Sequence, residues 1–228
     1  MLASVSHRSY KDRIYAEFAR IGHALASDRR LELLDLLAQA PRHVEALASE
    51  TEQPVANVSQ HLQVLRRARL VESEKEGTKV LYRLAGRSVL DLWLTLRSVA
   101  ESRLAEVEQI ARGYADAGEQ ADLPREDLPR LAKRDDVLVI DVRPPIEYAS
   151  GHLSGAVSLP IDELPQRLGE LPRDRRIVAY CRGTYCLFAD EAVALLRRHG
   201  FDAQRLEGGW PEWLSEGRPT EDASIASA

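Results

Sequence analysis

Two short apolar runs, Val137–Ile140 and Ile177–Tyr180, constrain the fold of the second half of the chain more than any other feature. Both runs are rich in β-branched residues and flanked by charged ones, a pattern typical of strands buried on both faces of a parallel sheet. Helical patterns at 164–171 and 187–199 alternate with them. The sequence therefore predicts an α/β domain with a central parallel sheet.

The first 115 residues have a mostly helical periodicity instead, with apolar residues recurring every three or four positions. The first helix carries one apolar stripe, which consists of Ile14, Phe18, Ile21 and Leu25. Asp28 is predicted to cap a second helix that ends before Pro41. A further helical pattern extends from Val89 to about Tyr114, and its apolar face requires a partner helix. A homodimer is the simplest source of that partner.

Length and charge indicate two domains. The 228 residues correspond to about one and a half domains of about 150 residues each. Residues 1–118 carry 17 basic and 16 acidic side chains, whereas residues 119–228 carry 14 and 20, and such asymmetry suggests two functions. We place a first domain at 1–115, a polar linker at 116–123, a second domain at 124–218 and a flexible tail at 219–228.

The sequence also indicates the cellular compartment in which the protein acts. No apolar run approaches the roughly 18 residues that a membrane span needs, and the N-terminal segment MLASVSHRSYKDR lacks the apolar part of a secretory signal. We therefore expect a cytoplasmic protein without a membrane partner. The two cysteines, Cys181 and Cys186, are too few for a disulfide framework and indicate chemistry instead.

Residues 44–84 have the pattern of a winged helix-turn-helix. A short helix around Val44–Ala48 and a turn at Thr51–Pro54 precede a helix through Val58, Leu62 and Leu65. Two strand-like runs, at 70–74 and 79–84, then flank a turn at Gly77. We expect a mainly α winged-helix domain of the α+β class.

Polar and basic residues of this helix and hairpin are candidates for DNA contact. Base edges are the expected partners of Asn57, Ser59, Gln60 and His61, and phosphates those of Arg66, Arg67, Lys75 and Lys79. Periodicity alone is equally compatible with a solvated polar helix and an ordinary surface hairpin.

The segments SQHLQVLRRARLV and EGTKVLYRL favour DNA binding, because residues 15–112 resemble the ArsR-type winged-helix regulators. The resemblance implies a homodimer formed through the first and last helices, which binds a palindromic double-stranded operator. Metal-sensing members of that family often carry cysteines before the turn, where this chain has PRHVEALA. We therefore predict no metal site in this domain.

The second half contains a strand, a six-residue loop with the sequence CRGTYC, and a helix. Cys181 is expected at the carboxyl end of the strand, where ligands bind in parallel α/β sheets. Loop amides and the helix N-terminus are predicted to lower the pKa of its thiol. Gly183 permits the tight curl, and Arg182 adds positive charge for an anionic substrate. The alternative is that both cysteines are buried apolar residues.

Two further segments, VLVIDVRPPIEYASGHLSGAVSLP and AQRLEGGWPEW, make residues 124–217 resemble a rhodanese (sulfurtransferase) domain. The resemblance implies that Cys181 attacks a sulfane-sulfur donor such as thiosulfate or polysulfide and holds a persulfide, without a cofactor. The implied anion-binding loop consists of Arg182, Gly183, Thr184, Tyr185 and Cys186. The implied loop supports are Asp141, Arg143, Glu147 and His152.

Loop length separates this chemistry from that of related phosphatases and arsenate reductases. Those enzymes have a loop one residue longer that ends in arginine, and the corresponding position here is Leu187. Their activities are therefore not expected. Cys186 departs from the usual rhodanese pattern, and it is either a packed core residue or a resolving thiol for a persulfide on Cys181.

Three functions are compatible with these two halves. The primary hypothesis is a regulator in which sulfur or an oxidant on Cys181 alters operator binding. The second is a sulfurtransferase enzyme whose helical half mainly dimerises. The third is a DNA-binding regulator with a passive rhodanese module for sulfur carriage or docking.

Overall fold

The computed structural model describes residues 7–114, 122–132 and 136–221, which form two compact units that divide between Val89 and Leu90. This division falls before the linker predicted at 116–123. Of that predicted linker, only Asp122 and Leu123 are among the described residues.

The first unit is a small helical domain with one hairpin. Its elements are α1 (His7–Leu25), α2 (Asp28–Gln39), β1 (Arg42–His43), α3 (Val44–Glu50), α4 (Val55–Arg67), β2 (Val71–Glu76) and β3 (Lys79–Leu84). The strands form an antiparallel sheet in the order β1-β3-β2. The predicted helix-turn-helix and its wing are confirmed, with Gly77 in the turn at a φ of 63°.

The helices of the first unit pack around leucines, because one face of each amphipathic helix is apolar. Leu33 and Leu37 of α2, Leu47 of α3, and Leu62 and Leu65 of α4 are fully buried.

Two local features of this unit differ from expectation. Asp28 does not cap α2: Ser27 occupies the N-cap position, and the Asp28 carboxylate accepts a hydrogen bond from the amide of Arg29 at 2.8 Å. The two-residue strand β1 was not predicted, because its pairing with β3 depends on residues about 40 positions apart.

The expected stripe on α1 is not buried in this chain. Ile14 is 38% exposed and Phe18 is 64% exposed, and Tyr10 and Tyr15 are exposed beside them. A monomer therefore leaves an apolar helix face in water.

The helix predicted from Val89 to Tyr114 is two helices. α5 (Arg87–Arg103) begins in the first unit and ends in the second, and α6 (Ala105–Tyr114) follows after Leu104. Leu104, between the two helices, and Ile110 of α6 belong to the predicted apolar face and are 51% and 64% exposed.

The second unit is the predicted α/β domain. Its remaining elements are α7 (Leu128–Ala132), β4 (Val137–Asp141), α8 (Pro145–Ser150), β5 (His152–Leu153), β6 (Val157–Ser158), α9 (Leu164–Arg167), a 3-10 turn (Leu168–Glu170), β7 (Arg176–Cys181), α10 (Phe188–Arg198), β8 (Ala203–Gly209), α11 (Trp210–Ser215) and β9 (Thr220–Glu221). Four strands form a parallel sheet in the order β6-β4-β7-β8. The two apolar runs that predicted this sheet are its central strands.

The core of this unit lies between the sheet and α10. Ile140 of β4, Ile177 and Ala179 of β7, and Ala192 and Leu196 of α10 are fully buried in one cluster. This packing fixes the end of β7, and therefore the position of Cys181.

Two segments predicted as linker and tail contain residues that pair with strands of the second unit. Leu123, placed in the linker, pairs with Leu206 as an added strand bridge. Thr220 and Glu221, placed in the flexible tail, form β9 against β5. The prediction of a flexible tail is therefore wrong for these two residues. Residues 222–228 of the predicted tail lie outside the described residues. Among the described residues, no helix is both long and apolar enough to cross a membrane.

Candidate active site and nucleic-acid interface

Cys181 is the last residue of β7 and its side chain is completely buried. The chain then curls through Gly183, whose φ of 145° favours glycine. The amide of Cys186 donates to the carbonyl of Gly183 at 3.2 Å, so this amide closes the turn and is not part of an anion cradle. The amides that bond the Cys181 sulfur are those of Gly183 and Ala189.

The last two residues of β8, Gly208 and Gly209, lie in crowded positions that leave no room for a side chain. A Cβ on Gly209 would overlap the carbonyl of Cys181 and the backbone of Gly183. Gly208 has a φ of 69°, and a Cβ there would overlap Arg125. Only glycine at position 209 lets β8 approach the cysteine loop this closely.

Burial reverses the predicted direction of the pKa shift of the Cys181 thiol. Burial raises the pKa of Cys181 well above its usual value, with an added contribution from its hydrogen bond to Cys186. The prediction of a lowered pKa at Cys181 is therefore wrong, because desolvation outweighs two amide hydrogen bonds.

Cys186 is the more acidic thiol of the pair. The hydrogen bond from Cys181 and the amides of Arg182 and Phe188 lower the pKa of Cys186 to about 7, against the opposing effect of burial. Cys186 is also partly exposed. At neutral pH the negative charge of the loop is therefore on Cys186 for a large part of the molecules.

Arg182 does not present a free charge to the mouth of the loop, in contrast to our expectation. Its guanidinium pairs with the buried carboxylate of Glu147 at 2.6 Å and lies over the ring of Phe188. Glu147 thereby joins the loop to α8.

Asp141 and Arg143 form a buried pair at the end of β4. The guanidinium donates to the Asp141 carboxylate at 2.6 Å and to the carbonyl of Gly151 at 2.8 Å. The hydroxyl of Tyr180 donates to the same carboxylate. Burial, and then the Asp141 charge, raise the pKa of Tyr180. The network joins β4 to β7 one residue before Cys181.

His152 contacts α8 and β9. Its Nδ1 lies 2.9 Å from the carbonyl of Tyr148, its ring stacks on Tyr148, and its Nε2 lies 3.4 Å from Glu221 of β9. It therefore joins α8 to the end of the described chain.

Arg205 is a loop contact that sequence reasoning missed. Its guanidinium donates to the carbonyls of Thr184 at 2.8 Å and Gly183 at 3.4 Å, and it pairs with Asp190 at 2.9 Å. Arg205 therefore ties β8 and α10 to the backbone of the cysteine loop. Its place four residues before Gly209 in the AQRLEGGWPEW segment was the available signal.

The outer side of the loop contacts α5 within the second unit. The guanidinium of Arg97 forms an ion pair with Glu212 and lies 6.0 Å from the ring centre of Tyr185. Partial burial, together with a hydrogen bond to Glu101, raises the pKa of Tyr185 to about 12. The tyrosine is therefore a neutral donor to Glu101 at all physiological pH values.

The candidate DNA-contact residues occupy one helix and one hairpin of the first unit. Asn57, Gln60, Arg66, Arg67, Lys75 and Lys79 are exposed, and Ser59 and His61 are half-buried. Arg66 donates to the hydroxyl of Ser73 at 3.0 Å, which fixes the end of α4 to the wing. An open cleft of about 580 Å³ lies there, bordered by Arg66, Arg69 and Arg83.

The basic residues of this face are not equivalent. Arg83 is paired with Glu72 at 2.9 Å. Arg67, Lys75 and Lys79 form no ion pair with any of the described residues, so their charges are open to an anionic partner. In the same part of the chain, no group of three or more His, Cys, Asp or Glu side chains is arranged to hold a metal ion.

Family models match both halves. Residues 27–73 match the bacterial regulatory protein arsR family, and residues 125–216 match the rhodanese-like domain.

Some proteins are similar to most of the chain, and others to one of its halves. The chain is 43% identical over 208 residues to the HTH-type transcriptional regulator Rv0324 of Mycobacterium tuberculosis, covering 91% of this chain and 92% of that protein. It is 38% identical over 91 residues to a sulfurtransferase of Allochromatium vinosum, covering 40% of this chain and 83% of that protein. The homodimeric winged helix-turn-helix DNA-binding domain Mb0332 of Mycobacterium bovis is 43% identical, with 45% and 94% coverage and a TM-score of 0.42.

Proposed function

The chain belongs to the ArsR-type winged-helix transcriptional regulators with a C-terminal rhodanese domain, and on that premise we propose that it is a sulfur-responsive regulator. In this proposal Cys181 accepts sulfane sulfur, and the modified loop alters the binding of a palindromic operator by a homodimer. The observation that carries the proposal is the contact of the cysteine loop with α5, the helix that begins in the first unit.

Sulfur uptake needs only the groups of the loop and a donor. The Cys181 thiolate attacks the outer sulfur of thiosulfate, a new S–S bond forms, the S–S bond of thiosulfate breaks, and sulfite leaves with the electron pair. The thiol proton of Cys181 passes to water before attack, and the amides of Gly183 and Ala189 stabilise the resulting thiolate.

DNA binding is supported by the charges of α4 and the wing. Exposed Asn57 and Gln60 offer donors and acceptors to base edges, while Arg67, Lys75 and Lys79 offer unpaired charges to phosphates. The named relatives, a transcriptional regulator and a DNA-binding domain, support the same proposal. A regulator of this kind acts in the cytoplasm.

Dimerisation is supported by the exposed apolar side chains of α1, among them Phe18, which is 64% exposed. A second copy of the chain covers such a face when two α1 helices pack. A Phe18→Glu variant should be monomeric by analytical ultracentrifugation, whereas Ile146→Glu, on an exposed position of α8, should remain dimeric.

The regulatory claim is tested by operator binding. A duplex is selected from a random DNA library with the full-length protein, and its affinity is measured by fluorescence anisotropy for wild type and Cys181→Ser, each with and without thiosulfate. A useful coupling of about 1–3 kcal/mol changes the wild-type affinity by about 5- to 150-fold. Equal affinities in all four measurements would exclude sulfur-responsive regulation.

A sulfurtransferase enzyme is the second candidate, favoured by the identity to the Allochromatium protein. It requires steady-state turnover of thiosulfate and cyanide at about 1 s⁻¹ or faster. Such turnover without any selected duplex would replace the regulator proposal. A passive rhodanese module instead predicts that Cys181→Ala leaves repression unchanged.

A further inference from the structure

We infer that Cys186 resolves the persulfide of Cys181 within the same loop, so that uptake of one sulfane sulfur ends in a Cys181–Cys186 disulfide and free hydrosulfide. This inference rests on the proposed function, because it needs the persulfide as its starting point. It assigns to Cys186 the role of a catalytic residue that acts on the reacting sulfur.

The loop brings the two sulfur-bearing residues together. The hydrogen bond from the Cys186 amide to the Gly183 carbonyl, at 3.2 Å, turns the chain back over Cys181. The Cys181 sulfur then lies 3.4 Å from the carbonyl oxygen of Cys186, and the two thiols are hydrogen-bonded to each other. A thiol in direct contact with its target sulfur needs little motion to attack it.

The two cysteines differ in the way that this chemistry requires. Cys181 is buried, whereas Cys186 is only partly buried and packs at the edge of the core cluster. The amides of Arg182 and Phe188 stabilise a thiolate on Cys186. A thiol whose pKa lies near the ambient pH is the most effective attacking group.

The step balances without an added oxidant. The outer sulfur of the persulfide first takes one proton from water. The Cys186 thiolate then attacks Sγ of Cys181, the bond between Sγ and the outer sulfur breaks, and that sulfur leaves with its proton and the electron pair as hydrosulfide. The two cysteines are oxidised and the sulfane sulfur is reduced. The donor, thiosulfate or another sulfane compound, is therefore the oxidant of the whole sequence.

Mass spectrometry of the full chain separates the outcomes. After thiosulfate, wild type should lose about 2 Da, the two thiol hydrogens, and release hydrosulfide. The Cys186→Ser and Cys186→Ala variants should each gain about 32 Da, the mass of one sulfur atom, and release none. Trypsin cleaves after Arg176, Arg182 and Arg197, so a non-reducing digest of wild type should contain IVAYCR joined to GTYCLFADEAVALLR.

Failure of this inference differs from failure of the proposed function. A stable gain of about 32 Da on wild type, with both peptides separate in the digest, would overturn the role of Cys186 and leave the persulfide intact. Absence of any gain in both Cys186 variants would overturn the persulfide itself. A Cys181→Ser control should show neither mass change nor hydrosulfide.

Discussion

The guanidinium of Arg97 and the carboxylate of Glu212 form an ion pair beside Gly183, so that a residue of α5 touches the segment that supports the cysteine loop. Both side chains are largely buried. Tyr185 adds a second contact, through Glu101 and the Arg97 guanidinium. The cysteine loop is therefore in direct contact with side chains of α5.

Removing one hydroxyl tests this route. Tyr185→Phe loses the hydrogen bond to Glu101 but keeps the ring against Arg97, so sulfur should still be taken up while its effect on DNA affinity shrinks by at least about fivefold. Anisotropy and intact mass are measured on the same samples. The matched control is Tyr148→Phe, which removes a hydrogen bond to the carbonyl of Ala156 and should keep the full response. A full response in Tyr185→Phe would contradict the route.

The acidity of Cys186 predicts a pH profile. A thiol whose pKa is lowered to about 7 is ionised above that pH, so alkylation of the GTYCLFADEAVALLR peptide by iodoacetamide should rise from pH 5 and reach half its maximum near pH 7, approximately the pKa itself. In Cys181→Ala the donated hydrogen bond is absent, and the midpoint should move upward. An unchanged midpoint in that variant would show that the two thiols do not interact.

The buried pair of Asp141 and Arg143 predicts a stability effect. Asp141→Asn leaves the Arg143 charge without its carboxylate, and the free energy of unfolding should fall by about 3–5 kcal/mol. Urea denaturation followed by tryptophan fluorescence reports this unit, because Trp93, Trp210 and Trp213 all belong to it. Asp202→Asn, which breaks an exposed pair with Arg176, should cost under about 1 kcal/mol. Equal losses in both variants would argue against a structural role for the buried pair.

Substitutions at the candidate DNA-contact residues should weaken DNA binding in two different ways. Arg67→Ala should weaken binding to selected and scrambled duplexes alike and lower the slope of log affinity against log salt by about 1. Asn57→Ala should instead reduce the preference for the selected duplex, by about 1–3 kcal/mol for a lost base contact. Arg198→Ala, an exposed charge of α10 in the second unit, serves as the control. An equal loss in the control would show that only net charge matters.

Much of the fold is predictable because its signals are local. The leucine periodicity of α2 and α4 identifies helices, Gly77 marks the wing turn, and the buried runs identify β4 and β7. The order of strand, CRGTYC loop and helix then places Cys181 at the end of β7 without any knowledge of the rest of the chain.

The remaining features depend on contacts that are distant in sequence. Arg205 reaches the loop from β8, and Arg97 reaches it from a helix more than 80 residues earlier. No local pattern indicates the Arg97 contact, and the place of Arg205 before Gly209 does not by itself show which carbonyls it binds. The direction of the Cys181 pKa shift was predicted wrongly for a related reason. The loop sequence indicates that amides lie near the sulfur, but the depth at which the sulfur is buried depends on the whole core.

The central claim, that Cys181 takes sulfur from a sulfane donor, is tested most directly by sulfite release. The full-length protein is mixed with a small excess of thiosulfate and no acceptor, and sulfite is measured over time. The account predicts one equivalent of sulfite per chain for wild type and for Cys186→Ser, and none for Cys181→Ser. Sulfite release that persists in Cys181→Ser, or that is absent from wild type, would contradict it.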